Sequence, residues 1–370
     1  MKLVFTTEEK LNERKASLSE RERYELGCFA GEMMLVPNLS VTFNESPAVS
    51  GDKHDYFSEG PYWWPNPEDP NGPYIRRDGE INPDRFTAHF NDIELLCKAV
   101  PVLAAAGFYL DEPKYISRAV ELIKVWFIDE ETRMNPNLIH GQAVRGVCAG
   151  RGIGIIDITA VMRIIHAANL IEYIGGYDAE ISALKGWFSE FVEWLEVSEH
   201  GKEERAMHNN HAVWYMAQLA AYKAFVGQDV NPCFDFFKEV VIPNQVAPDG
   251  SLPAELARTI SYHYSNYTLN AMVILCIIAD GFGTDLWNYT CDGERGMKKC
   301  IEFFKGFYAN PTLWRHEQIK GQDSLFKESF AMKKAASVYS DKAIAAANKM
   351  RCDGRIPMRN FCQLGLIDLL

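Results

Sequence analysis

Two short segments of this sequence carry side chains suited to removing a proton from carbon. Residues 209–215 read NNHAVWY and residues 255–264 read ELARTISYHY, so together they offer carboxamides, imidazoles, a guanidinium and phenols. A carbon beside a carboxylate is a very weak acid, because its carbanion puts a second negative charge next to the first. Arg, Asn and His donors can neutralise the carboxylate and hold the developing charge. A phenol near an arginine ionises more easily than at its usual pKa of about 10, so it can serve as base and then as acid.

With two further segments upstream, these residues resemble the alginate lyase superfamily of polysaccharide lyases. Residues 50–56 read SGDKHDY and are followed by PYWWP and YIRRDG, and HGQ at 140–142 continues to GRGIG at 150–154. The segments occur in the family's order over roughly residues 50 to 270. The set is far more specific than an isolated NNH, because Asn and His are common in turns and caps. The order resembles the branch acting on alginate and glucuronan more than the shorter alginate lyases.

This resemblance implies which residues are catalytic. Carried over position by position, they are Asn210, His211, Arg258 and Tyr264. Tyr262 and Tyr267 are close alternatives, but Tyr264 lets the following residues fall where the motif continues. Tyr264 would abstract the C5 proton of a 1,4-linked polyuronate and return a proton to the departing O4. For sugars whose C5–H lies on the opposite face, His211 would be the base and Tyr264 the acid.

A larger set of residues is expected to bind substrate. Aromatic rings suit the apolar faces of sugars, and cationic or amide groups suit uronate carboxylates. The candidates are Lys53, His54, Tyr62, Trp63, Trp64, His140, Gln142, Arg151, Asn209, Tyr262 and His263. Packing within the surrounding loop is an equal alternative for the aromatic side chains of 62–64, and surface charge is an equal alternative for Lys53 and His54. Glu255 is interpreted as orienting Arg258 or another cation.

Two other kinds of site are considered and disfavoured. GRGIG resembles a dinucleotide-binding loop, but it lacks the later glycine spacing and no strand is predicted before it. His208, His211 and His263 offer imidazoles to a metal, and the first two stand three residues apart on a predicted helix. No nearby carboxylate completes that set, and β-elimination here needs no metal. The sequence therefore predicts neither a metal nor a cofactor.

Composition limits the partners. The 370-residue chain is 47% hydrophobic and carries a formal net charge of −12. A nucleic-acid binder normally has a basic surface, so that class is disfavoured. An acidic protein can still bind an acidic polysaccharide or oligosaccharide, because the local field is set by the cations lining a groove. No run of about 18 apolar residues predicts a membrane span.

The compartment is predicted only conditionally. The N-terminal residues contain no long apolar segment typical of a secretory signal, so the chain as written is expected to be cytoplasmic. Removal of a leader would instead make it periplasmic or secreted. Nine cysteines without a CxxC pair are typical of reduced, mostly buried thiols.

Apolar residues recur at helical spacing through most of the chain. Helices are predicted near 94–110, 155–174, 210–225 and 267–280, and no stretch of similar length alternates with period two. Helical periodicity alone indicates an all-α protein. The resemblance implies an (α/α) toroid, an incomplete barrel of helical hairpins around a cleft, with residues 1–370 forming one domain.

Residues 44–92 are expected to be an ordered loop that forms a lid or wall over the cleft. The segment is rich in proline and aromatic residues, and long loops inside compact domains are usually functional. The segment after Met350 is expected to be a terminal extension packed on the toroid.

The main hypothesis is a polysaccharide lyase that cleaves alginate or glucuronan by β-elimination and leaves a 4,5-unsaturated uronate. One alternative is a glycoside hydrolase on a similar toroid, which needs two carboxyl groups such as Asp92, Asp157 or Glu255. A second alternative is a non-catalytic protein that binds acidic sugars.

Overall fold

The computed structural model describes residues 2–351, which are mostly helical. They divide into two compact units. Unit 1 comprises residues 2–204 and 221–228, and unit 2 comprises residues 205–220 and 229–351. The expectation that one toroidal domain covers residues 1–370 stays a prediction. The proposed terminal extension lies almost wholly outside the described residues.

Helices of unit 1 form its core. They are α1 (Glu8–Ser17), α2 (Glu20–Met33), α3 (Ala88–Tyr109), α4 (Pro113–Ile123), α5 (Met162–Ile174), α6 (Asp178–Val197) and α7 (Glu199–Arg205, whose last residue belongs to unit 2). The start of α2 is fixed by a capping box, in which Ser19 and Glu22 exchange hydrogen bonds. Most residues of helix α3 are buried, and many of its buried side chains are Val, Leu or Ala. Short 3₁₀ segments at Val41–Phe43 and Gly152–Val161 and a π segment at Lys124–Ile128 complete the helical structure of the unit.

The predicted ordered loop at 44–92 contains three short strands. They are β1 (Phe57–Glu59), β2 (Trp63–Trp64) and β3 (Ile75–Arg76). Strand β1 pairs in parallel with β4 (His140–Ala143), and β2 pairs antiparallel with β3. Strand pairing therefore ties this segment to the HGQ motif. Its role as a lid or wall stays a prediction.

Unit 2 carries the remaining helices. They are α8 (Asn210–Val226, whose last residues belong to unit 1), α9 (Asn231–Phe236), α10 (Ile242–Gln245), α11 (Pro253–Leu256), α12 (Ser261–Gly281), α13 (Met297–Ala309), α14 (Phe330–Val338) and α15 (Lys342–Arg351). A π segment at Phe237–Val241, 3₁₀ segments at Pro311–Leu313 and Gln322–Phe326, and a hairpin of β5 (Thr290–Cys291) and β6 (Arg295–Gly296) lie between them.

One helical stretch, Gly152–Ile174, is long and apolar enough to span a membrane by length and composition alone. Asp157 and Arg163 interrupt the run of apolar residues within this stretch, so the sequence contains no uninterrupted apolar segment of that length. Of its most apolar window, 72% is buried inside the protein. A buried core helix passes the same test, and burial here fits that interpretation.

Candidate active site

The NNH motif forms the beginning of helix α8. The side-chain oxygen of Asn209 accepts the backbone N–H of His211 at 3.0 Å, which is the contact made by an N-terminal cap. Asn210 is the first helical residue and is fully buried, whereas His211 is partly exposed. The oxygen of Asn209, predicted to bind substrate, is thus used by the helix start.

Glu255 of α11 contacts this helix start directly. Its Oε1 accepts the backbone N–H of Asn210 at 2.6 Å, and the Asn210 side-chain amide nitrogen lies 3.2 and 3.1 Å from the two carboxylate oxygens. Burial raises the pKa of Glu255, and the Asn210 hydrogen bonds and the nearby Arg258 and His211 charges oppose that rise. The Arg258 and His211 charges act on the same carboxylate, so the orientation of a cation by Glu255 stays a prediction. The backbone N–H of Arg258 donates to the Glu255 carbonyl at 3.1 Å.

Arg258 and Tyr264 lie against each other. The guanidinium carbon is 3.6 Å from the centroid of the Tyr264 ring, within the range of a close cation–π contact. Arg258 follows α11 and is half-buried, and Tyr264 lies in the first turn of α12 with 8% of its surface exposed. The arrangement brings a planar cation onto a phenol, as the predicted chemistry requires.

Tyr262 occupies the opposite side of α12. Two residues along a helix correspond to a rotation of about 200°, so Tyr262 and Tyr264 face away from each other. The Tyr262 ring packs against Phe304 and Trp314 with centroid separations of 5.0 and 5.2 Å, and only 2% of the residue is exposed. Burial raises its pKa to about 12, although Arg351 opposes the rise. Tyr262 therefore belongs to the core of unit 2, and we leave it out of the proposed substrate-binding set.

An aromatic row continues from Tyr264. The His263 ring meets Tyr264 edge-on at 5.4 Å and stacks on Tyr267 at 5.9 Å, and Tyr267 packs on Trp214 at 4.5 Å. Although the His263 side chain is exposed, desolvation by surrounding protein atoms lowers its pKa, and the Arg258 and Lys320 charges lower it further. The neutral imidazole is thereby favoured beside Tyr264.

Arg151 is the best-supported candidate in unit 1. Its Nε and Nη2 donate to the backbone carbonyl and side-chain oxygen of Gln142 at 3.0 and 3.1 Å, and its guanidinium lies 5.5 Å from the Trp63 ring centroid. The Gln142 amide nitrogen donates to Asp157 at 2.8 Å. Gln142 has φ +49°, a left-handed conformation uncommon for non-glycine residues. The structure therefore brings Trp63, Gln142 and Arg151 together.

The buried carboxylate of Asp157 holds this arrangement in place. The sequence did not predict this structural role. The Asp157 carboxylate also accepts hydrogen bonds from Ser58 at 2.5 Å and Tyr56 at 3.3 Å, and burial raises its pKa. A carboxylate within the apolar run GIGIIDITAV must find partners when it is buried. That placement was the signal from which a structural role could have been inferred.

The glycines of the HGQ and GRGIG motifs allow two backbone segments to touch. A Cβ on Gly154 would lie 2.5 Å from the carbonyl of Gly141, and one on Gly150 would lie 1.9 Å from the Ile139 carbonyl. The GRGIG segment thus serves close backbone packing beside Arg151.

The other residues of unit 1 that were predicted to bind substrate differ in their exposure to solvent. His140 is 5% exposed, with Nδ1 3.2 Å from the Ala149 carbonyl and Nε2 3.4 Å from Asp55, so it lies inside the fold. His54 Nδ1 lies 2.7 Å from the Arg133 carbonyl, and Lys53 is exposed. Lys53 and His54 are therefore accessible, whereas His140 holds its loop from within.

The aromatic side chains at and beside strand β2 are partly exposed. Tyr62, Trp63 and Trp64 are each of intermediate accessibility. Trp64 donates its indole N–H to the Glu80 carbonyl at 3.0 Å and lies under the Arg77 guanidinium at 5.0 Å. Packing fixes these rings without burying them fully.

The histidines considered as metal ligands do not form a group of the required kind. Within residues 2–351, no three or more His, Cys, Asp or Glu side chains are arranged to hold a metal ion. Asp157 and Glu255 were considered as carboxyl groups for a hydrolase. Both carboxylates accept hydrogen bonds from neighbouring residues of the protein. Asp92 likewise accepts the Asn44 amide at 2.8 Å.

Comparison with known proteins identifies what the chain is similar to. The alginate lyase family model matches residues 40–314. An alginate lyase from Bacteroides ovatus is 32% identical, with a TM-score of 0.90 over 97% of this chain and 98% of that one. Alginate lyase A1-III from Sphingomonas species A1 is 15% identical, with a TM-score of 0.52 over 90% and 88%. Alginate lyase A1-III in a complex with tetrasaccharide is 15% identical, with a TM-score of 0.58 over the same shares.

Comparison with curated proteins gives no match. The likeness to the Bacteroides ovatus structure confirms the expected all-α class of the (α/α) toroid type. The matched residues 40–314 contain every residue predicted here for catalysis or substrate binding.

Proposed function

Because the chain belongs to the alginate lyase family and is a polysaccharide lyase, we propose that it cleaves alginate by β-elimination around Arg258 and Tyr264. The resemblance inferred from the motifs is thereby confirmed at the level of the family. The hydrolase and the non-catalytic alternatives are not favoured.

Neutralisation of the substrate carboxylate is the first requirement. In the proposed mechanism, donors from His211 and Arg258 engage the carboxylate at C5 and stabilise the enolate-like charge that develops on it. The buried Asn210 side chain, whose amide nitrogen is held by Glu255, positions the start of the helix that carries His211. A planar guanidinium matches a carboxylate through two parallel N–H donors. These interactions lower the cost of removing the C5 proton.

Tyr264 carries the proton transfer. Its phenolate takes the C5 proton, and the electron pair of the broken C5–H bond forms the double bond between C4 and C5. The C4–O4 bond then breaks, and the departing O4 takes the proton from the Tyr264 phenol. For residues with the C5–H on the opposite face, His211 takes the proton and Tyr264 supplies one to O4. Each route leaves a 4,5-unsaturated uronate and needs no external oxidant or reductant.

One observation carries this proposal. The Arg258 guanidinium lies 3.6 Å from the Tyr264 ring centroid, while the neighbouring Tyr262 is buried in the core. A cation beside a phenol stabilises its phenolate, which is the form required for a base. Tyr264 is therefore the tyrosine that we assign to proton transfer.

Substrate binding is proposed to extend beyond the catalytic group. In unit 1, Arg151 would bind a uronate carboxylate and Trp63 the apolar face of a sugar ring, with Gln142 fixing the guanidinium. Lys53, His54, Tyr62 and Trp64 are retained as accessible candidates. In unit 2, His263 is retained because its side chain is exposed beside Tyr264.

The test compares the protein on polymannuronate, polyguluronate and glucuronan. A lyase raises the ultraviolet absorbance of unsaturated uronate, and mass spectrometry then detects products lighter by one water than hydrolysis products. Products without the absorbance would indicate a hydrolase, and binding without cleavage would indicate a non-catalytic protein. Activity on glucuronan alone would overturn the choice of alginate while keeping the elimination chemistry.

A further inference from the structure

The carboxylate of Glu255 and the side-chain amide of Asn210 are hydrogen-bonded to each other inside unit 2. Asn210 is fully buried and Glu255 is 1% exposed, so water competes little for their hydrogen bonds. We infer that Glu255 is a positioning residue, which fixes the place and the amide orientation of Asn210 in the active site. The inference rests on the proposed function and adds to it how the helix start is held.

The chemistry of the contact allows only one amide orientation. The amide nitrogen faces both carboxylate oxygens at 3.2 and 3.1 Å, whereas the reversed amide would set its oxygen against them. The Asn210 oxygen therefore faces away from Glu255. Among residues 2–351 this buried oxygen has no hydrogen-bond partner. Glu255 thus decides which polar atom of Asn210 remains uncommitted.

Glu255 also joins two parts of the proposed active site. Its side chain accepts the first backbone N–H of α8, and its backbone carbonyl accepts the N–H of Arg258 at 3.1 Å. A negative charge at the N-terminus of a 17-residue helix is favourable, because the unpaired backbone N–H groups there carry partial positive charge. One residue therefore connects the start of α8 to the Arg258 segment, although Asn210 and Glu255 are 45 positions apart.

Glu255→Gln is the main test, because it keeps the shape of the side chain but replaces one acceptor oxygen with a donor. We expect kcat to fall about 10- to 100-fold with KM changed by less than about twofold, since small misplacements of catalytic groups have effects of this size. Glu255→Asp keeps the charge but is one methylene shorter, and we expect a similar fall. Circular dichroism and thermal melting give the fraction of folded protein in each preparation, and each rate is divided by that fraction.

Asp341→Asn is the matched control. Its carboxylate also accepts backbone N–H groups at a helix start in unit 2, at 2.9 and 3.1 Å. We expect this variant to lower the melting temperature and leave kcat per folded molecule unchanged. A merely structural Glu255 would behave in the same way.

A double-mutant cycle completes the experiment. If Glu255 acts through Asn210, then Asn210→Ala combined with Glu255→Gln loses no more kcat than Asn210→Ala alone. Unchanged kcat in Glu255→Gln, or losses that multiply in the double variant, would overturn the positioning role and leave the proposed function standing. Full activity of Asn210→Ala would also overturn the positioning role, because Glu255 cannot act through a residue that turnover does not need, and the proposed elimination would stand.

Discussion

The guanidinium of Arg258 and the ring of Tyr264 are stacked, with 3.6 Å between the guanidinium carbon and the ring centroid. The contact joins the segment after α11 to the first turn of α12. Stacking uses the flat shape of the guanidinium as well as its charge, so the two side chains hold each other in place. Its consequences for activity can be measured at each residue separately.

Tyr264→Phe is expected to lose nearly all turnover while the fold stays intact. The substitution removes only the hydroxyl that moves the proton, a role typically worth about 10²–10⁴ in rate. The ring remains and keeps its contact with Arg258. Initial rates of unsaturated uronate formation, together with a melting curve, check the prediction.

Tyr262→Phe is the matched control for that measurement. The Tyr262 ring is buried against Phe304 and Trp314, so removing its hydroxyl should leave turnover near normal. If Tyr262→Phe were inactive and Tyr264→Phe active, the assignment of the proton-transferring tyrosine would be wrong.

Arg258→Lys is expected to be nearly as damaging as Arg258→Ala. A lysine keeps the positive charge but offers neither a flat surface to the Tyr264 ring nor paired donors to a carboxylate. Both variants should lose at least about 10²-fold in kcat/KM, the scale for removing a group that stabilises developing charge. Near-normal activity of the lysine variant would mean that Arg258 contributes charge alone.

The pKa of His263 is expected to rise when Arg258 or Lys320 loses its charge. Both cations disfavour the imidazolium, so Lys320→Ala should move the titration of His263 to higher pH. Histidine NMR titrations of the wild type and the variant measure this shift, and His263→Gln identifies the signal. A shift to lower pH would contradict the electrostatic account.

The lowered pKa of His263 also determines its effect on stability. The folded-state value lies below the unfolded value, so the contribution of neutral His263 is present above the unfolded pKa of about 6.5. It is lost as the pH falls through the lower, folded-state pKa. Melting temperatures of the wild type should therefore fall more steeply with acid than those of His263→Gln.

Activity is expected to survive exhaustive chelation. Neutralisation of the substrate carboxylate is assigned to His211 and Arg258, so the mechanism does not call for a metal ion. Turnover after prolonged dialysis against EDTA, with and without added Ca²⁺, Mn²⁺ or Zn²⁺, measures the requirement. Loss of turnover followed by rescue with one ion would transfer the charge-neutralising role to that metal.

The sequence predicted the helices whose apolar face is continuous, because local periodicity specifies them. It placed the start of α12 near residue 267 instead of Ser261, since the polar run SYHYSNY hides the apolar spacing there. The motif left open which of the neighbouring tyrosines transfers the proton. The structure excludes Tyr262, because its side chain is buried in the core. Such an outcome depends on which neighbours each helix face meets, and local patterns do not contain that information.

The hydrogen bonds of Glu255 to Asn210 could not be predicted for the same reason. The sequence predicts that Glu255 orients Arg258 or another cation, and it gives no sign of Asn210 as a partner. Only the tertiary structure brings the carboxylate to the start of α8, where Asn210 supplies two donors. Similarly, the motif at 140–154 identified Gln142 and Arg151, but Asp157 gained its role only through packing.

The glycine contacts beside Arg151 limit how this enzyme can be redesigned. No side chain fits at Gly154 or Gly150 unless the backbone that carries His140 and Gln142 moves. A library built to alter sugar preference should therefore leave these positions unchanged and vary the half-exposed Tyr62, Trp63 and Trp64 instead. Selection for new substrates would otherwise discard many clones for a fault in packing that has nothing to do with the sugar.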